Sequence, residues 1–162
     1  MYTRVMIGPK SRGFAPSEQF YDRAPALKAF REAKKCVISD LGGHALEDST
    51  INEFCARLFG GRWGGCKLAH ERLRDGHYYI MNTSYRGGGV HWCAVIVRDG
   101  VAYVYDSFGR KTAQILPQLA RDYDCVDSDH HAEQHSGSLC GQDSIAWLIV
   151  AHTCGLDVAL RV

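Results

Sequence analysis

Residues 92–105 constrain this chain more than any other segment. They read Trp-Cys-Ala-Val-Ile-Val-Arg, then Asp-Gly, then Val-Ala-Tyr-Val-Tyr. Two runs rich in β-branched and aromatic residues, separated by two turn residues, predict an antiparallel hairpin. Asp99-Gly100 suits a type I′ turn, whose twist matches that of the flanking strands and which needs positive φ at both central positions. Tyr78 to Asn82 is a further strand candidate, and Gly87-Gly88-Gly89 makes a permissive loop before the hairpin. At the other end of the chain, the apolar run from Gly141 to His152 reads as a buried helix that Gly155 terminates.

The remaining elements follow from periodicity and punctuation. Ala26, Leu27, Phe30 and Ala33 make one apolar face of a helix over 25–35, opened by Pro25. Ile51, Phe54, Cys55 and Leu58 repeat at helical spacing, Thr50 and Glu53 have capping-box spacing, and Gly60-Gly61 ends that helix. The glycine-rich, charged stretch 60–76 reads as a loop with a short helical turn. A short helix over 117–120 and a strand over 123–126 precede an acidic, His-rich loop at 127–138. The expected fold class is α+β: a single domain over 23–162, with a central mixed β-sheet flanked by helices. Residues 1–22, which contain Gly8, Pro9, Gly13 and Pro16, form an extended basic arm in this reading.

Composition narrows the function classes. With 162 residues and 46% hydrophobic content, the chain has enough apolar material for one well-buried core and too much for a disordered one. No apolar run is long enough to span a bilayer, and no secretory leader is visible at the N-terminus, so neither membrane insertion nor export is expected. Residues 1–35 hold eight Lys/Arg against three Asp/Glu, while 36–162 hold eleven against fifteen. That basic end is either a solvated arm or a contact for a polyanion such as DNA. The seven cysteines are odd in number and include no C-x-x-C, which points to a reducing, intracellular compartment rather than a disulfide scaffold.

One thiol stands apart. Cys140 falls at the expected start of the last helix, in Gln134-His-Ser-Gly-Ser-Leu-Cys140-Gly141-Gln142. A helix N-terminus offers unpaired N–H groups and the positive end of the dipole, and both favour thiolate over thiol. Gly141 would let a substrate backbone approach, and N–H groups near the thiol would bind an oxyanion. The hairpin supplies partners. His91 opens its first strand and Asp106 follows its second, so the two meet at the open end, where a carboxylate fixes and stabilises an imidazole. Gln134 is placed to donate its amide to an oxyanion. Cys55, Cys93 and Cys154 read as structural.

The order His91, Asp106, Gln134, Cys140 resembles clan CE, the cysteine proteases that include adenovirus proteinase (adenain) and the SUMO-deconjugating enzymes. Gly-x-His-Trp at 89–92, Tyr-Asp-Ser-Phe-Gly at 105–109, Gln-x5-Cys-Gly at 134–141 and Leu46-x-Asp48-x-x-Ile51 carry the likeness. The short chain and Tyr-Asp-Ser-Phe-Gly are most similar to the adenain-like branch, although adenain has Glu where this chain has Asp106. The resemblance implies an adenain-like protease fold with the nucleophile at the N-terminus of a buried helix. It also implies a cysteine endopeptidase that cuts after small residues in Gly-Gly or Gly-X-Gly contexts, and that matures viral capsid precursors in the host nucleus and virion. On that reading Cys140 is the nucleophile, His91 the base, Asp106 its orienting acid and Gln134 an oxyanion donor, with Trp92 packed beside the site.

The same resemblance implies no cofactor for the chemistry, but stimulation by DNA through the basic arm and by an activating peptide disulfide-bonded to Cys125. Leu58-Phe59-Gly60-Gly61 is similar to sites cut by such enzymes, so self-cleavage after Gly61 is one reading and a helix end the other. Four alternatives to endopeptidase action stand. They are an isopeptidase of the same clan, an acetyltransferase using the same cysteine, an inactive scaffold, and a zinc module built from His130, His131 and His135 with Cys125 or Cys140.

Overall fold

The computed structural model describes residues 23–85, 91–129 and 137–162. Among them five strands form one sheet: β1 (Trp63–Lys67), β2 (Tyr78–Asn82), β3 (Trp92–Arg98), β4 (Val101–Tyr105) and β5 (Asp124–Asp127), in that spatial order. The central pairs β2–β3 and β3–β4 are antiparallel, whereas the outer pairs β1–β2 and β4–β5 are parallel. The chain is therefore an α+β protein with a single mixed sheet. The β3–β4 hairpin turns at Asp99 (φ 53°) and Gly100 (φ 75°), the two positive values that a type I′ turn requires.

Alternation along the strands divides two apolar layers. Tyr78, Ile80, Trp92, Ala94, Ile96, Tyr103 and Tyr105 face a core shared with helices α1 (Ala24–Leu41), α2 (Asp48–Phe59) and α5 (Cys140–Cys154). Tyr79, Met81, Cys93, Val95, Val97, Ala102 and Val104 face a second layer closed by Ala69, Leu73, and the short helices α3 (Thr112–Ile115) and α4 (Pro117–Asp122). Both faces of the central strands are covered, so β2 and β3 read as near-continuous apolar runs. Helix α5 is buried over almost its whole circumference between α1 and the sheet, as expected of a helix apolar all round. Trp147 anchors it, stacked on Tyr105 at 5.7 Å and donating Nε1–H to the Ala159 carbonyl of α6 (Leu156–Ala159).

Four local expectations change. Helix α1 runs six residues past Lys35, because Val37 continues its buried stripe to Gly42. The Thr50–Glu53 capping box does not form: α2 starts earlier, at Asp48, whose Oδ1 accepts the Ser49 N–H. The expected loop over 60–76 contains strand β1 after a 3₁₀ turn at Gly60–Arg62. Trp63-Gly-Gly-Cys-Lys carries no strand signature, since its glycines answer to tertiary contacts. A Cβ at Gly64 would collide with the Tyr79 ring, and Gly65 takes φ 110° at a register break. Helix α3 is an additional single turn. By contrast, Gly60 ends α2 with φ 54°, and Phe59 is buried edge-on against Tyr78 at 5.2 Å. Residues 58–61 thus act as a helix end, and an extended, cleavable conformation would pull Phe59 from the core.

Candidate active site

Three elements bring the predicted residues together. His91 immediately precedes β3, Asp106 immediately follows β4, and Cys140 is the first residue of α5. The β3–β4 register pairs Ala94 with Tyr105, which sets Asp106 beside the entrance of β3. His91 Nε2 lies 2.5 Å from Asp106 Oδ1, and both residues are buried. That contact leaves Nδ1 as the ring nitrogen for Cys140, whose sulfur shares a side-chain hydrogen bond with His91 and accepts backbone hydrogen bonds at Trp92 and Gly141. Cys140 is only half-buried.

The electrostatics are those of an ion pair. Burial alone would raise the Cys140 thiol, but its hydrogen bonds to His91, Trp92 and Gly141 outweigh burial and bring it below the ordinary thiol range. Burial alone would lower the His91 imidazole, yet hydrogen bonds with Asp106 and Cys140 raise it well above its usual value. Asp106 resists the upward push of burial through its bonds to His91 and Arg110 and stays ionised. Both shifts favour thiolate and imidazolium over the neutral pair. Thiolate is lost as pH falls through the lowered Cys140 pKa, and imidazolium is lost as pH rises through the raised His91 pKa. The buried thiols differ: burial pushes Cys93 and Cys55 up, and burial together with the Asp48 charge pushes Cys66 up to about 12. Iodoacetamide at a pH below the range of an ordinary thiol should therefore alkylate Cys140 ahead of Cys55, Cys66 and Cys93. Peptide mapping by mass spectrometry checks this, and equal labelling of Cys140 and Cys66 would refute the ion pair.

Three consecutive polar residues seat Cys140. Gln142, Asp143 and Ser144 are fully buried in the first turns of α5. Gln142 Nε2 donates to the Gly42 and His44 carbonyls (3.0 and 2.6 Å), Asp143 pairs with Lys34 of α1 at 2.6 Å, and Ser144 Oγ donates to the Trp92 carbonyl at 3.2 Å. Each bond ties the helix start to a different part of the fold and gives a buried group a partner, while Gln142 Oε1 is buried without one. Trp92 in turn donates Nε1–H to the Leu46 carbonyl. A Cβ at Gly141 would meet the Leu46 side chain at 3.2 Å. The glycine therefore gives the Leu46 side chain room beside the helix start.

No family model matches this chain, and no curated protein matches it.

Two neighbours carried no sequence signal. Arg110 donates its backbone N–H and its Nε–H to Asp106 Oδ2, each at 2.9 Å. Cys93, read from sequence as structural, points its sulfur at Asp106 Oδ1 at 3.9 Å. His91, Cys93 and Asp106 are also the one group among the described residues close enough to share a metal ion. Their spacing argues for a hydrogen-bonded cluster instead. Two ligands of a tetrahedral zinc with bonds of about 2 Å sit roughly 3.3 Å apart, whereas His91 and Asp106 approach to 2.5 Å. Gln134, His130, His131, His135 and the basic arm lie outside the described residues. Cys125 is on edge strand β5, half-buried against the second layer, with its sulfur 3.7 Å from the Leu119 carbonyl and 3.6 Å from that of Tyr123. Among the described residues no helix is long and apolar enough to cross a membrane, and no disulfide is formed.

Proposed function

We propose that this chain is a cysteine endopeptidase of clan CE, in the adenain-like branch, cutting after small residues. One observation carries the reading. A half-exposed cysteine at a helix N-terminus, with its thiol pKa lowered, contacts a buried imidazole held by a buried carboxylate. In the reaction, the Cys140 thiolate attacks the peptide carbonyl and forms the carbon–sulfur bond. His91 gives its Nδ1 proton to the leaving amine as the carbon–nitrogen bond breaks, leaving a thioester on Cys140. The now neutral His91 takes a proton from water, whose oxygen attacks the thioester; the carbon–sulfur bond then breaks, the acid product leaves, and Cys140 departs as thiolate beside protonated His91. Asp106 keeps the imidazole oriented and stabilises its charged form throughout. By resemblance, Gln134 donates to the oxyanion, DNA and a Cys125-linked peptide stimulate turnover, and the substrates are viral precursor proteins.

Asp106 itself favours a second reading, since the resemblance gives Asp to the deconjugating enzymes and Glu to adenain. A substrate panel separates the two. Fluorogenic peptides ending in apolar-x-Gly-Gly should be hydrolysed by the wild type and faster with added DNA. A Gly-Gly isopeptide on lysine should be cut poorly. The reverse preference would transfer the assignment to an isopeptidase, and no turnover of either, with or without DNA, would remove the hydrolase reading.

A further inference from the structure

Asp106 accepts more than the triad needs. Oδ1 takes His91, and Oδ2 takes both the backbone and the side chain of Arg110, with Arg110 Nη2 a further 3.4 Å from Oδ1. The turn that carries these residues closes without the guanidinium: Gly109 N–H donates to the Asp106 carbonyl, and the Arg110 backbone N–H already caps Oδ2. Asp106 is the carboxylate that Arg110 pairs with, although its side chain is 43% exposed and stands beside a fully enclosed acid. The guanidinium also covers the Phe108 ring at 5.1 Å, and Phe108 lies 5.1 Å from the His91 ring. Arg110 thus reaches the imidazole by two routes, one through the carboxylate and one through the aromatic ring.

We propose that Arg110 is a positioning residue of this site, locking the Asp106 carboxylate so that Oδ1 faces His91 and bracing Phe108 against the imidazole. The inference rests on the cysteine peptidase reading above. A forked guanidinium fixes both the direction and the plane of a carboxylate, which a lysine point charge does not. Its positive charge also lies within electrostatic reach of the Cys140 sulfur and favours thiolate there.

The test compares full-length wild type, Arg110→Ala and Arg110→Lys in peptide hydrolysis and in the pH dependence of iodoacetamide alkylation at Cys140. Arg110→Ala should lower kcat about tenfold with little change in KM, as expected for loss of one charge-assisted orienting contact. It should also move the alkylation midpoint up by about 0.5 in pH, because a cation that favours thiolate is gone. Arg110→Lys should restore the midpoint but only part of kcat. A purely structural role would lower the unfolding temperature and leave the midpoint of the folded protein unchanged, and that result overturns the proposal. So does a wild-type midpoint and kcat in Arg110→Ala. Alkylation needs no substrate, so the midpoint reports on Arg110 even if the peptide is not cut. Failure of wild type to cleave or to alkylate selectively at Cys140 would instead sink the peptidase reading.

Discussion

Cys140→Ala should abolish peptide hydrolysis, by at least about 10³-fold, while the protein stays folded. On the peptidase reading the Cys140 sulfur forms the covalent acyl intermediate, and alanine offers no substitute. The fold should tolerate the change. Cys140 is half-buried at the first position of α5, alanine is the best helix former, and the buried bonds from Gln142, Asp143 and Ser144 remain in place. Thermal unfolding should therefore shift by no more than about 3 °C, read by circular dichroism beside the fluorogenic assay. Retained hydrolysis in a folded Cys140→Ala variant would end the assignment.

The second large effect falls on Asp106→Asn, and the structure makes it more severe than a simple loss of charge. His91, Cys93, the Arg110 backbone and the Arg110 side chain all direct donors at this carboxylate. Asparagine has one acceptor oxygen and a two-donor NH₂ group, so either orientation turns N–H against a donor. The His91 ring then loses its orientation, and the imidazolium loses its buried counter-ion. A fall in kcat/KM of about 10³ is expected. The sign of the pH effect follows from the raised His91 pKa: without the carboxylate it drops towards its usual value, so the alkaline limb of the rate profile moves to lower pH. A profile with an unmoved alkaline limb and a loss smaller than about threefold would reduce Asp106 to a turn residue.

What was legible in the sequence was local. Strands β3 and β4 are expected at their observed residues because β-branched and aromatic runs flank a two-residue turn, and β2 is expected from its own apolar run Tyr78 to Met81. Helix α5 is expected because the seven-residue apolar run Ile145 to Ala151, with Gly155 soon after it, suits a buried helix, and Cys140 comes with it as the residue at its start. The meeting of His91 and Asp106 followed from the hairpin alone, since antiparallel pairing brings the two ends of one local unit together. Leu58-Phe59-Gly60-Gly61 is ambiguous in sequence and reads as a helix end once Phe59 packs on Tyr78.

Tertiary structure decided the rest. Strand β1 exists because β2 offers it an edge and because Tyr79 needs the space above Gly64, neither of which a five-residue window contains. Gly141 serves Leu46, and Asp143 serves Lys34, across large separations in the chain. Arg110 and Cys93 look ordinary in sequence and acquire meaning only when folding encloses Asp106, where each unmet acceptor position would be costly. The approach of Cys140 to His91 belongs to the same class. Turn chemistry and periodicity set elements over a few residues, whereas the ion pair exists only after burial removes water and the sheet and helix fix two distant side chains in contact.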